Sequence, residues 1–253
     1  MIRNACRTTF RNNEGLVLCG HLELPPEGEP RAWAIFCHCF TCNKNYKAPV
    51  HISRFLAAEG IATLRFDFPG LGGSQGDFSD TTLTGYVKDV RSAGDYLKRD
   101  YGAPRLLIGH SMGGAAVLLA AAGMPGIELV VTLAAPSKPG EMGYRLKRAK
   151  EQAIERGIGE LEINGKKYLL RRDFFDDVAR HDLKQALNSM QAKLLVVHSP
   201  SDDTVPFDSA KELMAWAHAP KSLLELDEAA DHLFSREEDA EKVARAIAIR
   251  LRR

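Results

Sequence analysis

No stretch of this 253-residue chain approaches eighteen consecutive apolar residues, so a membrane-spanning helix is not expected. The opening Met1–Phe10 has no apolar core of the kind a secretory leader carries. Charge of one sign is missing too. The formal net charge is +1, with acidic and basic residues interspersed, which gives nucleic acid or an anionic surface nothing to hold. The basic run Arg245–Arg253 reads as the outer face of a last helix. Cysteines are few and odd in number, at 6, 19, 37, 39 and 42. Without a leader, that count suits reduced thiols in a cytoplasmic protein better than a disulfide framework. Cys39-x-x-Cys42 with His38 beside it has some ligand or redox spacing. No second CxxC or HxxxH completes a zinc site, and no helix N-terminus is evident under a redox pair, so neither a metal nor a redox site is expected, nor any cofactor.

What is present is a large apolar fraction, 45%, distributed in short runs. That suffices for one domain with a sizeable core. Candidate strands Thr8–Arg11 and Leu16–Leu24 flank Glu14-Gly15 as an opening hairpin. From there strands alternate with helices. The strands fall at Ala32–Cys37, Ile61–Phe66, Arg105–Ile108, Glu128–Ala134, Lys193–His198 and Ser222–Leu226. Between them lie helices at Val50–Gly60, Tyr86–Asp100, Ser111–Gly123, Asp208–His218 and Glu237–Arg252. This alternation predicts an α/β domain with a mostly parallel sheet covered on both faces.

Residues 137–191 interrupt the rhythm. A charged helix (Glu141–Arg156) is followed by a hairpin pattern centred on Asn164-Gly165, then by one helix at about Arg172–Leu187. Within the single domain 1–253 this stretch reads as a cap insertion over the carboxyl ends of the strands, where open α/β sheets bind ligands.

One motif concentrates the chemistry. Gly109-His110-Ser111-Met112-Gly113 lies between a strand and the small-residue helix Gly113–Ala122. Strand, G-x-S-x-G, helix is the context of a nucleophile elbow, whose glycines allow a sharp turn that exposes the serine. A serine hydroxyl needs a base, and the base an orienting carboxylate. Downstream, Asp202 and Asp203 follow the strand ending at His198, and His232 follows the next strand. Asp202 is preferred because it sits four residues before Pro206; Asp203 reads as a turn residue, and Asp231 as pointing elsewhere. His110 reads as packing, His198 as satisfying backbone groups. The expected oxyanion donors are the backbone N–H of Met112 and one from the loop His38-Cys39-Phe40, Phe40 first and Cys39 second.

These residues carry a resemblance over nearly the whole length. With His38–Thr41, Leu64–Ser74, Gly109–Gly114, Asp202–Pro206 and Ala230–Phe234, the chain resembles α/β-hydrolase-fold serine esterases. It looks most similar to the hydrolase half of bacterial hydrolase/OsmC-type fusion proteins, which share the His-Cys-Phe-Thr-Cys loop, and to the cinnamoyl (feruloyl) esterases. The resemblance implies a Ser111, Asp202 and His232 triad acting on small carboxylic esters, with no cofactor. Generic esterases have glycine where Cys39 stands, so a side chain here narrows the acyl site. The pattern closes one helix after His232, and an OsmC-type half is not expected. Cys39, Tyr144, Tyr168 and Phe174 are candidate pocket residues; Tyr144, Tyr168, Phe174 and Phe175 suit either an aromatic acyl group or, more commonly for such a cluster, the cap's own small core. Thioesterase, amidase and perhydrolase activities share the same triad, and a non-catalytic ligand-binding module is the rival of another class. Oligomeric state is not legible.

Overall fold

Two central strands are buried at every position, Ile61–Phe66 and Leu129–Leu133, and such strands need cover on both faces of a sheet. The computed structural model, which describes residues 5–141, 143–163 and 165–252, supplies it. In chain order the elements are β1 (Ala5–Arg11), β2 (Val17–Glu23), β3 (Ala32–Cys37), α1 (Lys47–Ala58), β4 (Ile61–Phe66), α2 (Leu83–Asp100), β5 (Pro104–His110), α3 (Met112–Ala121) and β6 (Leu129–Leu133). Then come α4 (Tyr144–Arg156), β7 (Ile158–Ile163), β8 (Lys166–Arg171), α5 (Arg172–Val178), α6 (Leu183–Ser189), β9 (Lys193–His198), α7 (Asp208–Trp216), β10 (Lys221–Glu225) and α8 (Glu237–Arg252).

Eight strands form one sheet in the order β1-β2-β4-β3-β5-β6-β9-β10. The pairs β1–β2 and β2–β4 are antiparallel, and all others are parallel. Ile52 and Leu56 of α1 join Val243 and Ile247 of α8 over one face. Val90 and Leu97 of α2, Ala116 and Val117 of α3, and Leu213 of α7 belong to the core on the other. The parallel strands therefore release their loops at one shared rim, and the positive-φ residues Thr41, Ser111, Ala134 and Phe234 all lie in loops leaving that rim. Non-glycine residues adopt this conformation only where surrounding structure enforces it.

Between β6 and β9 the chain makes its excursion. β7 and β8 form a separate antiparallel pair. β7 packs so closely on α4 that a Cβ on Gly159 would lie 1.8 Å from the Ala149 carbonyl. Gly165 turns the hairpin at φ 74°, and Asn164 lies outside the described residues. The single helix expected over Arg172–Leu187 is two. Asp182 breaks it, because its carboxylate accepts from the amides of Lys184 (2.8 Å) and Gln185 (3.1 Å) and starts α6 afresh.

Candidate active site

β5 ends in a turn that only these residues permit. Ser111 has φ 55° and ψ −121°, and its amide donates to the Leu133 carbonyl of β6 at 2.8 Å. A Cβ on Gly109 would meet the Gly113 carbonyl at 2.2 Å, and one on Gly113 would meet the His38 and Cys37 carbonyls at 2.5 and 2.6 Å. The elbow thus packs backbone to backbone against α3 and the loop after β3, leaving Ser111 half-buried at the start of α3.

The loops after β9 and β10 meet. His232 Nδ1 donates to Asp202 Oδ2 at 2.8 Å, which leaves Nε2 of the neutral ring free of a proton. The other carboxylate oxygen of Asp202 accepts from the amides of Thr204 and Val205, each at 2.9 Å. Burial pushes the Asp202 carboxyl up, but bonds from His198, His232 and the Val205 amide outweigh it and hold the group well below the usual carboxylate range. Asp202 therefore stays ionised beside the ring. Asp203 is exposed and accepts from the Thr204 hydroxyl, while Asp231 caps the following turn through the Ser235 amide.

Three further histidines take part. His198 is fully buried; its Nε2 donates to the Val205 carbonyl at 2.9 Å and lies 3.4 Å from Asp202 Oδ2, so it backs the carboxylate as well as the backbone. His110 Nε2 donates to the His232 carbonyl at 2.7 Å. Burial, reinforced by the neighbouring His232, drives the His110 ring down to about 3, so it stays neutral. His38 is likewise pushed down to about 4 by burial. Its Nδ1 donates to the Cys39 carbonyl (2.8 Å), and its Nε2 accepts from the Phe68 amide (3.3 Å), which fixes one tautomer. His198 lies four residues before Asp202, but across a strand end and a turn, where that spacing is no signal. For His110, and for the Phe68 amide that meets His38, only the fold brings the partners near.

The loop after β3 forms a tight turn. Cys42 N–H donates to the Cys39 carbonyl at 3.1 Å, and Thr41 sits at φ 65°. Cys39 and Cys42 are joined as a disulfide, which corrects the expectation that all five thiols are reduced; Cys6, Cys19 and Cys37 are free. The pairing escaped sequence reasoning because an odd count says nothing of which two sulfurs a turn brings together. Since the peptide is trans, the Phe40 N–H points opposite to the Cys39 carbonyl that His38 and Cys42 hold.

Aromatic rings roof this turn. Phe40 stacks on Phe174 (centroids 5.1 Å) and leans on Phe78 (5.2 Å), which meets Tyr168 edge-on at 5.1 Å. The Tyr168 hydroxyl donates to the Thr41 carbonyl at 3.4 Å. Phe174 is 1% exposed and Phe175 3%, so both belong to the packed base of the excursion, whereas Tyr168 and Phe40 are only half-buried. The Tyr144 side chain lies outside what is described.

Known proteins share this architecture. Residues 34–251 match the model of the alpha/beta hydrolase family. Among curated proteins, the mitochondrial palmitoyl-protein thioesterase ABHD10 of Rattus norvegicus is 26% identical over 204 residues, spanning 78% of this chain and 68% of that one. For its Homo sapiens counterpart the match is 26% over 187 residues, 71% of this chain and 60% of that one. Among solved structures, the esterase domain of a Rhodothermus marinus protein is 36% identical with a TM-score of 0.78, covering 97% of this chain and 96% of that domain. Est1E from Butyrivibrio proteoclasticus, with ferulic acid bound, is 22% identical with a TM-score of 0.81, covering 97% and 100%; at that identity it speaks to the fold. With a family model over most of its length and a solved esterase domain at 36% identity, this chain belongs to the α/β hydrolase family.

Proposed function

We propose that this protein is a serine hydrolase that cleaves small carboxylic esters through an acyl-enzyme. His232 Nε2 takes the Ser111 proton as Oγ attacks the ester carbonyl. Asp202 holds the ring in the productive tautomer and stabilises the imidazolium. The oxyanion rests on the amides of Phe40 and Met112. His232 then protonates the leaving alcohol, activates water, and the acyl group departs. The observation that carries this reading is the 2.8 Å bond between His232 Nδ1 and the ionised Asp202, in a loop tied by His110 to the Ser111 elbow.

For the acyl group, half-buried Phe40 and Tyr168 present aromatic surface beside the proposed oxyanion amide. That surface favours a flat acyl group, in keeping with the ferulic acid held by Est1E. A second reading, thioester cleavage, draws support from the palmitoyl-protein thioesterases among the relatives. A long chain would have to pass the aromatic roof.

The test pairs labelling with turnover. Ser111→Ala should lose p-nitrophenyl acetate hydrolysis by about 10⁵-fold or more and react with no fluorophosphonate probe, while melting as the parent does. Undiminished turnover in that variant ends the reading. A panel of methyl ferulate with p-nitrophenyl acetate, butyrate and octanoate, and a palmitoyl thioester, then separates the acyl classes. No turnover of methyl ferulate rejects the aromatic preference.

A further inference from the structure

Constraints of three kinds close the turn that carries Phe40. Cys42 N–H and His38 Nδ1 both donate to the Cys39 carbonyl, at 3.1 and 2.8 Å. The third is covalent, the bond between Cys39 and Cys42, whose Cα atoms lie 5.3 Å apart. Within this four-residue ring Thr41 is held at φ 65°, a conformation that a β-branched residue resists. Glycine, which takes such a φ without cost, is absent from residues 38–42. With the sulfurs separated, the turn loses its covalent restraint, and the relaxation of Thr41 to negative φ is opposed only by the hydrogen bonds and by the packing of Phe40 and Thr41. That rotation would swing the Phe40–Thr41 peptide and, through Phe40, loosen the Cys39–Phe40 peptide that carries the Phe40 N–H.

Resting on the reading that the Phe40 amide is an oxyanion donor, we propose that Cys39–Cys42 is a redox site that sets the turnover rate. The disulfide form is the fast one, and low-molecular-weight dithiols slow it. The exchange balances. One thiolate of the dithiol attacks a half-cystine, breaks the Cys39–Cys42 bond and forms a mixed disulfide. The second thiolate displaces the protein sulfur. Cys39 and Cys42 gain two electrons and two protons, and the reductant closes to a cyclic disulfide. An excess of that cyclic disulfide runs the steps backward. Cys39 and Cys42 are 4% and 5% exposed, an opening that suits a small reductant better than a protein surface. A donor aimed at the developing oxyanion acts in the transition state, so its misplacement lowers kcat and leaves KM nearly unchanged.

The experiment equilibrates the full chain in mixtures of reduced and oxidised dithiothreitol and desalts it. One portion is alkylated under denaturing conditions for mass measurement, so that buried Cys37 is counted, and the native remainder is assayed with p-nitrophenyl acetate. Three alkylated cysteines are expected at the oxidised end and all five at the reduced end. Across the same midpoint kcat should fall about ten-fold, in line with a small misplacement of a catalytic group, with KM within two-fold. Excess oxidised dithiothreitol should restore it. Cys39→Ser/Cys42→Ser should show the slow rate in every mixture, with its melting temperature recorded to establish folding. Cys6→Ser/Cys19→Ser should keep the full redox response. Five free thiols in the oxidised protein, or an unchanged kcat once two are released, overturns the proposal. The Ser111 reading is tested separately: an inactive Ser111→Ala beside a redox-indifferent parent removes the redox site alone, whereas an active Ser111→Ala removes both.

Discussion

The ring of His110 hydrogen-bonds the backbone carbonyl of His232 across 2.7 Å, so the residue before the candidate nucleophile holds the loop that carries the candidate base. Their rings lie 5.1 Å apart, and Phe234 closes on His110 edge-on at 5.6 Å. His110→Phe keeps the aromatic packing but strands that carbonyl. We expect a stability loss of about 1–3 kcal/mol. A kcat about ten-fold lower at nearly constant KM should accompany it, as expected when a base is displaced by a fraction of an ångström. Denaturant melts and steady-state kinetics check both; parental values in each would show that the bond positions nothing.

The two neighbouring carboxylates should separate sharply. Asp202→Asn keeps the shape but offers an amide to His232 and His198, disfavouring the Nδ1-protonated tautomer, and should lower kcat by about 10⁴-fold. Asp203 touches only the Thr204 hydroxyl among the described residues and is exposed, so Asp203→Asn should leave kcat within two-fold. Equal losses in the two variants would contradict the assignment of the acid.

Acid stability follows from three buried groups. His38 and His110 titrate near 4 and 3 in the folded protein because burial penalises their cations, against about 6.5 when unfolded. Below pH 6.5 the unfolded chain therefore binds two protons that the native one refuses, and stability falls on acidification. Asp89 acts in the opposite sense. Burial raises it to about 7 despite a 2.7 Å bond from Asn12, so between about pH 4 and 7 the native state holds a proton that the unfolded state releases. Asp202, held low, contributes only below the ordinary carboxylate range. Among these three groups the net difference from pH 6 to 4.5 is about one proton. Unfolding free energy should then drop by about 1.4 kcal/mol per pH unit. Asp89→Asn removes the opposing group and should roughly double the slope. Urea titrations across this range read it directly, and a flat profile in both proteins would refute the account.

The architecture was legible because its strands declare themselves. Ile61–Phe66 and Leu129–Leu133 are too short for helices and too apolar for exposed strands, and turn residues bracket them. The loops holding Ser111, Asp202 and His232 were legible for the same reason, since each begins where an apolar run stops. What escaped depends on where the folded backbone aims side chains, near or distant in sequence. His198 looked like any strand-ending histidine until Asp202 folded back over it. Phe174 suited either an open pocket or the cap's own core, and only its packing on Phe40 at 1% exposure assigns it to the core. The break at Asp182 lay hidden because an aspartate inside a charged, helix-compatible stretch announces a cap only through the amides it finds. Asp177 and His181 of the excursion both reach Thr84 at the start of α2, a tie that no periodicity encodes.

The excursion leaves the sheet after β6 and rejoins it at β9, and these two strands pair directly, Leu129 with Lys193 through Leu133 with Val197. Because the pair is parallel, the excursion departs from the carboxyl rim beyond Leu133 and must return to the opposite rim, where Lys193 sits beside Leu129, roughly 13 Å back along the strands. A foreign hairpin and helices bridging those ends would spare the β6–β9 ladder but strip Phe174 and Tyr168 from the turn bearing Phe40. Divergence at the doorway is thus coupled to the footing of the machinery beneath it.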